Sequence, residues 1–153
     1  MVLNTAMYTV HSLFAALWAG SVLFVVLAIL PAAADGNLEP EALGSVVSRL
    51  RWITRISALA LLISGGHLAG LLYDVNTLMG TGSGQLVLTM VALWAGLAVA
   101  VEIGSAKAAA GIDAGKKRAP ARDAKPFYLV AAAFSVGLLI VAGLLGAGRI
   151  VGF

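Results

Sequence analysis

Two histidines, His11 and His67, are the residues in this sequence best suited to bind a metal. Each falls in a long apolar stretch, where an ionisable side chain is expensive and normally faces the interior of a helix bundle. An imidazole can bind a metal through one ring nitrogen while the other hydrogen-bonds to a neighbouring acceptor. The chain has no cysteine, which excludes thiolate metal sites, iron–sulfur clusters and covalently attached haem. Histidine, methionine and carboxylate remain as metal ligands.

Four apolar runs carry these residues, at 6–30, 52–73, 86–106 and 127–147. Each can cross a hydrocarbon core of about 30 Å, which takes about 20 helical residues. Of the 153 residues, 61% are apolar and 11% are charged, which is too little polar surface for a water-soluble domain. Because Pro40 suits a first helical turn, the second helix is predicted to begin there. The sequence predicts one all-α domain over residues 1–153, an integral membrane four-helix bundle with helices at about 6–30, 40–73, 86–107 and 127–148.

The basic residues predict how this bundle is oriented. Three arginines lie at the entry to the second span, and six basic residues lie between the third and fourth spans. The positive-inside rule therefore places both of these basic segments in the cytoplasm and both termini outside, in a multi-pass protein of the cell membrane. The charge pattern reflects topology and predicts no nucleic-acid partner, and the lipid bilayer is the predicted surrounding. On the outer side, the uncharged, glycine-rich segment 79–85 is predicted to be a flexible connector.

Counting residues from the outer ends of their spans predicts that the two histidines lie at the same depth in the membrane. His11 lies seven residues after Asn4, and His67 lies seven residues before Asp74. At a rise of about 1.5 Å per residue, both lie about 10 Å below the outer boundary, on antiparallel neighbours. Two facing imidazoles suit the two axial positions of a haem iron. The pair therefore predicts a b-type haem near the outer face that transfers electrons, with no catalytic residue.

Other residues extend this prediction or offer an alternative to it. Trp18, two turns below His11, is predicted to contact the cofactor, and Arg149, the one basic residue on the outer side, to pair with a haem propionate. Thioethers together with imidazole also suit Cu(I), so the alternative is a copper site. Its ligands would be His11, His67 and three methionines, Met7, Met79 and Met90.

One further pair of ionisable residues lies within the spans. Glu102 is on the cytoplasmic side of the third span, and Arg55 lies at a similar level on the second. Because both are far in depth from the histidines, they are predicted to form a structural ion pair.

The stretch from His11 to Trp18-Ala-Gly20 resembles the opening pattern, a His followed by Trp-x-Gly, of the copper-resistance D (CopD) membrane domain and of related haem-b-binding membrane bundles. The stretch from Trp52 to Ser64-Gly65-Gly66 is similar to the second-helix pattern of the same superfamily, and together the matches cover about a third of the chain. The resemblance implies a four-helix core with His11 as a ligand, handling copper in some members and haem b in others. Related protoporphyrinogen-oxidising proteins use a lysine within a later span. No later span has one here, so the sequence favours a protein that is not an enzyme.

Small residues at four-residue spacing mark where helices approach closely in a membrane. The third span has the longest such ladder, and the other spans have shorter ones: Ala92, Gly96, Ala100 and Gly104; Ala16 with Gly20; Gly66 with Gly70; Gly143 with Ala147. These faces suit packing within the bundle or between two copies, so the pattern leaves a homo-oligomer open. A redox partner, or a place as a non-catalytic subunit of a membrane complex, is equally compatible with the small loops.

Overall fold

Six α-helices and one π-helical turn make up the part of the chain that the computed structural model describes, residues 2–116 and 118–151, with side chains described to residue 148. In chain order they are α1 (Val2–Phe24), the π-helical turn (Val25–Ile29), α2 (Leu30–Asp35), α3 (Pro40–Leu72), α4 (Val75–Gly80), α5 (Gly82–Asp113) and α6 (Ala119–Val151).

Four helices are long and apolar enough to cross a membrane: the continuous helix Val2–Asp35, then Pro40–Leu72, Gly82–Asp113 and Ala119–Gly148. Less than a third of the most apolar window of each is buried, so most of these side chains face outward. The prediction of an all-α fold holds for the described residues, and the four predicted spans correspond to four helices that are long and apolar enough to cross a membrane. The helices extend beyond the predicted spans because apolar runs mark the hydrocarbon core, whereas backbone hydrogen bonding continues past it.

The four long helices form a ring around a central axis. α3 packs against α1 and α5, and α6 closes the ring by packing against α5 and α1. α1 and α5 therefore lie diagonally opposite each other. We call one end of the bundle, with the loops 36–39 and 114–118, the basic end. The other, with the start of α1 and the segment 73–81, is the cavity end.

The first long helix is interrupted where it meets a proline. Pro31 has no amide hydrogen to donate, which would break a regular α-helical ladder. The preceding residues widen into the π-helical turn, in which the Leu30 amide donates to the Val25 carbonyl five residues earlier. The helix then ends at Gly36, which has the left-handed φ of 85° that favours glycine. A Cβ at this position would lie 2.7 Å from Arg118 Nε, so the arginine from the second basic loop packs directly over this turn.

Glycines of α5 allow the closest helix contact in the bundle, that between α5 and α6. A Cβ at Gly104 would touch the Tyr128 ring, and one at Gly111 would lie 2.9 Å from Pro120 Cγ. The predicted ladder on α5 thus does bring two helices together, although Ala92 at its far end is exposed. By contrast, four glycines of the shorter predicted ladders have open space beside them, since an added Cβ would meet nothing within 4 Å: Gly20, Gly66, Gly70 and Gly143.

The glycine-rich segment between α3 and α5 is more ordered than the sequence predicts. The Asp74 carboxylate accepts a hydrogen bond of 2.7 Å from the Thr77 amide and caps α4. The Thr81 hydroxyl accepts one of 3.1 Å from the Gly84 amide and caps α5. Gly84 lies so close to the Leu78 carbonyl that any side chain would overlap it. The segment is a tight helical corner, not a flexible connector.

Candidate functional site

His11 is held by a hydrogen bond across the α1–α3 contact. Its Nδ1 lies 3.0 Å from the Ser64 hydroxyl, and the Ser64 hydroxyl in turn donates to the Ala60 carbonyl at 2.6 Å. Gly65 provides room for the ring, since a Cβ there would lie 3.0 Å from His11 Cε1. The imidazole is therefore held between a buried serine and a glycine of α3.

These contacts assign the tautomer of His11. A serine hydroxyl has one proton, and that of Ser64 is used by Ala60. Ser64 must then accept from His11, which places the imidazole proton on Nδ1 and a lone pair on Nε2. No hydrogen-bond partner for Nε2 is present among the described residues. Such a ring is prepared to bind a metal or to accept a hydrogen bond from a ligand, because its other nitrogen is already fixed.

His11 lines a cavity of about 270 Å³ in the cavity end of the bundle, enclosed by α1, α3, α5 and α6. Four aromatic residues, Tyr8, Trp18, Tyr73 and Trp94, share the lining with mostly aliphatic side chains. No carboxylate, lysine or arginine lines it among the described residues. The cavity is thus an apolar, aromatic site with one imidazole as its basic group, and its volume is just below the usual range of small-molecule sites.

His67 does not share this cavity. Its Nε2 donates to the Asn4 side-chain oxygen at 3.2 Å, at the start of α1. The cavity face of α3 comprises Leu61, Leu62, Gly65, Gly66, Leu68, Ala69 and Leu72. At about 100° per residue, His67 lies on the opposite side of the helix from the centre of this face. The structure therefore does not bring the two histidines onto one ligand. The reasoning from depth left out this rotation about the helix axis.

The other residues that were predicted to bind copper or to contact the haem do not all lie at the cavity either. Of the three methionines, Met90 lines the cavity, whereas Met7 does not and Met79 is 65% exposed on α4. Trp18, which was predicted to contact the cofactor, lines the cavity, and its indole Nε1 donates to the Thr54 hydroxyl at 3.0 Å. The side chain of Arg149 lies outside the described residues. No group of three or more His, Cys, Asp or Glu residues able to hold a metal occurs in the described chain.

The structure brings Arg55 and Glu102 together near the middle of the bundle, on the side toward the basic end. Arg55 Nε lies 2.7 Å from Glu102 Oε1, and Arg51 Nη2 lies 2.9 Å from Oε2. Arg51, one turn before Arg55, was not part of the predicted pair. One carboxylate thus links two guanidinium groups of α3 to α5, and none of the three residues lines the cavity.

The helical spacing of small hydroxyl and leucine residues on α3 could have identified several residues of the site, but the motif analysis did not use it. Thr54, Ser57, Leu61, Ser64 and Leu68 recur at helical spacing and are buried along α3. Small hydroxyl residues on a buried helical face in lipid need a partner, and Ser64 and Thr54 find one in His11 and Trp18. Trp94 was also missed, and its Nε1 donates to the Ala58 carbonyl at 3.3 Å beside the cavity.

Comparison with known protein families, with curated proteins and with solved structures finds no match to this chain.

Proposed function

We propose that this chain is a membrane protein that binds haem b through His11 and transfers electrons. The observation that carries the proposal is a tautomer-fixed histidine inside an apolar, aromatic cavity, whose Nε2 has no hydrogen-bond partner within the described part of the chain. A neutral imidazole whose other nitrogen is hydrogen-bonded is the usual axial ligand of haem iron. The resemblance of the His11-to-Gly20 stretch to CopD-like and haem-b-binding bundles supports the same residue.

The cavity fits such a group in chemistry and only partly in size. Aliphatic and aromatic walls suit a porphyrin face, and Trp18 and Trp94 lie beside His11 around the cavity. The 270 Å³ is smaller than a whole macrocycle needs. In a bilayer, however, an apolar edge that extends beyond the cavity contacts acyl chains and not water, so it carries little penalty. His67, bonded to Asn4, is not a ligand in this proposal.

When bound, haem would supply one-electron chemistry, and the chain's own residues account for the rest. Ser64 orients His11, and the apolar walls exclude water. The described lining carries His11 and two tyrosines but no carboxylate, lysine or arginine, which favours electron transfer over a bond-changing reaction.

Absorption spectroscopy tests the proposal directly. The chain is purified in detergent, reconstituted with haemin, and its haem-to-protein ratio is measured. We expect a Soret band with one haem per chain, lost in His11→Ala and retained in the matched control His67→Ala. A wild-type protein that binds no haem, or a His11→Ala variant that keeps its band, overturns the proposal.

A copper site is the second candidate, because Met90 shares the cavity with His11. A thioether and an imidazole are suitable donors for Cu(I). Elemental analysis of protein prepared without porphyrin separates the two: copper at one atom per chain, lost in both His11→Ala and Met90→Leu, supports this candidate. Protein that takes up neither haem nor copper but co-purifies with fixed partner chains is instead a non-catalytic subunit.

We also propose that the basic end is cytoplasmic and that both termini lie outside the cell membrane. The arginines of α3 and the basic residues of 107–125 support this orientation. Since the chain has no cysteine, single cysteines report sidedness without background. In intact cells, a membrane-impermeant maleimide should label Asn76→Cys at the cavity end and not Ala114→Cys at the basic end. The reverse pattern overturns the orientation.

A further inference from the structure

A second potential ligand of the cavity faces His11 across the bundle. Met90 lies on α5, and α5 is diagonal to α1, the helix of His11. Both side chains line the same cavity. A ligand placed between two diagonal helices is approached from opposite sides, which is the arrangement that two axial ligands of one iron require.

Contacts with α3 show that the two residues also lie at similar depth. Trp94 reaches the Ala58 carbonyl, and Met90 is one turn nearer the cavity end, about 6 Å along α5. Because α3 runs antiparallel to α5, Met90 is level with about position 62 of α3. His11 reaches Ser64. The offset is thus about two residues, or about 3 Å along the axis.

Other lining side chains that could bind a metal lie closer to the mouth of the cavity. Tyr8 is about 4.5 Å nearer the end of the bundle than His11, because it precedes His11 by three residues on the same helix. Tyr73 follows the end of α3 and lies nine residues beyond Ser64. Among the described lining residues, Met90 therefore combines a ligating atom with the level of His11.

We propose that Met90, together with His11, would hold the haem iron, so that the site would be a His/Met centre and not a bis-histidine one. The inference rests on the proposed function. A thioether stabilises the reduced iron more than a second imidazole does, so the centre would have a raised reduction potential. That property would make it an electron acceptor for reductants that a bis-histidine centre could not oxidise.

The test compares Met90→Leu and Met90→His with Met79→Leu, a control on the exposed face of α4. Electron paramagnetic resonance gives the spin state of the ferric protein, and a redox titration gives its midpoint potential. We expect the wild type and Met79→Leu to be low-spin with the same potential. Met90→Leu should keep its haem and become high-spin, and Met90→His should stay low-spin at a lower potential.

The outcomes separate this inference from the function on which it rests. A His11-dependent haem whose spin state and potential are unchanged in Met90→Leu overturns the role of Met90 and leaves the haem proposal standing. A wild-type chain without His11-dependent haem overturns both. Helical content from circular dichroism, together with the haem-to-protein ratio, verifies that each variant is folded and loaded before its spin state is compared.

Discussion

The two ends of the bundle differ in how completely their polar groups are hydrogen-bonded or ion-paired. Toward the basic end, polar groups satisfy one another: Glu102 binds two arginines, and the fully buried Tyr128 hydroxyl shares a 2.9 Å hydrogen bond with Ser105. At the cavity end, His11 is oriented by Ser64 but its second nitrogen remains available. The same four helices therefore combine a closed polar network at one end with an incomplete one at the other.

Packing follows the same division. Apart from Ser57 and Ser64, the largest fully buried side chains lie between the level of Trp18 and the basic end; examples are Tyr128, Leu43, Leu50, Leu97 and Val101. The cavity end contains the 270 Å³ cavity and glycines that contact nothing. Interiors without voids hold a structure together, whereas a void lined by side chains is a place for a ligand. The comparison teaches that stability depends on the basic end and that the cavity end is free for binding.

The largest effect is expected from Glu102→Gln, which removes the carboxylate from two guanidinium groups within the spans. Leaving charged partners uncompensated is strongly destabilising, although partial exposure of these side chains reduces the effect. We expect the apparent Tm to fall by about 5–10 °C, measured by thermal unfolding in detergent. The exposed Asp123→Asn removes the same charge in the same half of the bundle and should leave the Tm unchanged. Equal losses in both variants would mean that net charge matters and the network does not.

A glycine pair tests the packing difference between the two ends. Gly111→Ala would press a methyl group against the rigid Pro120 ring at the basic end, and overpacking of this kind costs about 1–3 kcal/mol. Gly143→Ala, at the cavity end of α6, meets open space and should be neutral or slightly stabilising. Denaturant unfolding of both variants measures the difference. If Gly143→Ala were the more damaging of the two, the stability would not be concentrated at the basic end.

Two hydroxyl residues one turn apart in the middle of α3 test whether a buried polar group needs a partner between the two ends of the bundle. Thr54→Val leaves the buried Trp18 indole without its acceptor, with an expected loss of about 1 kcal/mol. Ser57 is fully buried and its hydroxyl has no partner among the described residues, so Ser57→Ala should be neutral or stabilising. Unfolding free energies of the two variants provide the measurement. A Ser57→Ala variant as unstable as Thr54→Val would reveal a partner for the Ser57 hydroxyl.

The smallest effect is local and depends on pH. Hydrogen bonds from Thr77, first from its side chain and then from its amide, hold the pKa of Asp74 below the ordinary value. The cap of α4 is therefore fully formed above the usual aspartate pKa and is lost as the pH falls through the lowered one. Hydrogen exchange of the α4 amides should accelerate in this acidic window, relative to the intrinsic rate at each pH. Asp74→Asn, which caps without titrating, should show no such step.

The fold was predictable because apolar runs and charge placement act over long stretches of chain. The ends of the helices were harder to predict. α5 begins at Gly82 and ends at Asp113, and so extends beyond its apolar run at both ends. Polar residues at a membrane surface continue a helix as readily as apolar ones. α4 was missed although its signal is local. Asp74 and Thr81 are both good N-cap residues, and glycine content alone suggested a flexible loop.

The sequence identified His11 as a site residue, but it did not predict which other residues lie around it. Burial of an ionisable side chain singled out His11, and depth then paired it with His67, but depth is only one of two helical coordinates. Rotation about α3 separates His67 from the cavity, and this rotation becomes clear only once the face of α3 that lines the cavity is known. Ser64 would not have supplied that angle, because His67 follows it by three residues and lies on nearly the same side of α3, where both contact α1.

The π-helical turn has a consequence for the whole first helix. The buried positions on either side of it, Val22, Val25, Leu30 and Ala33, advance by three, five and three residues. One inserted residue rotates everything after it by about 100° relative to a regular helix. This phase correction turns Leu30 and Ala33 back toward the bundle, where α2 contacts α6. Deleting the exposed Ala28 would therefore rotate the segment that follows it, at the basic end, out of register with α6, while the segment that carries His11 would keep its orientation.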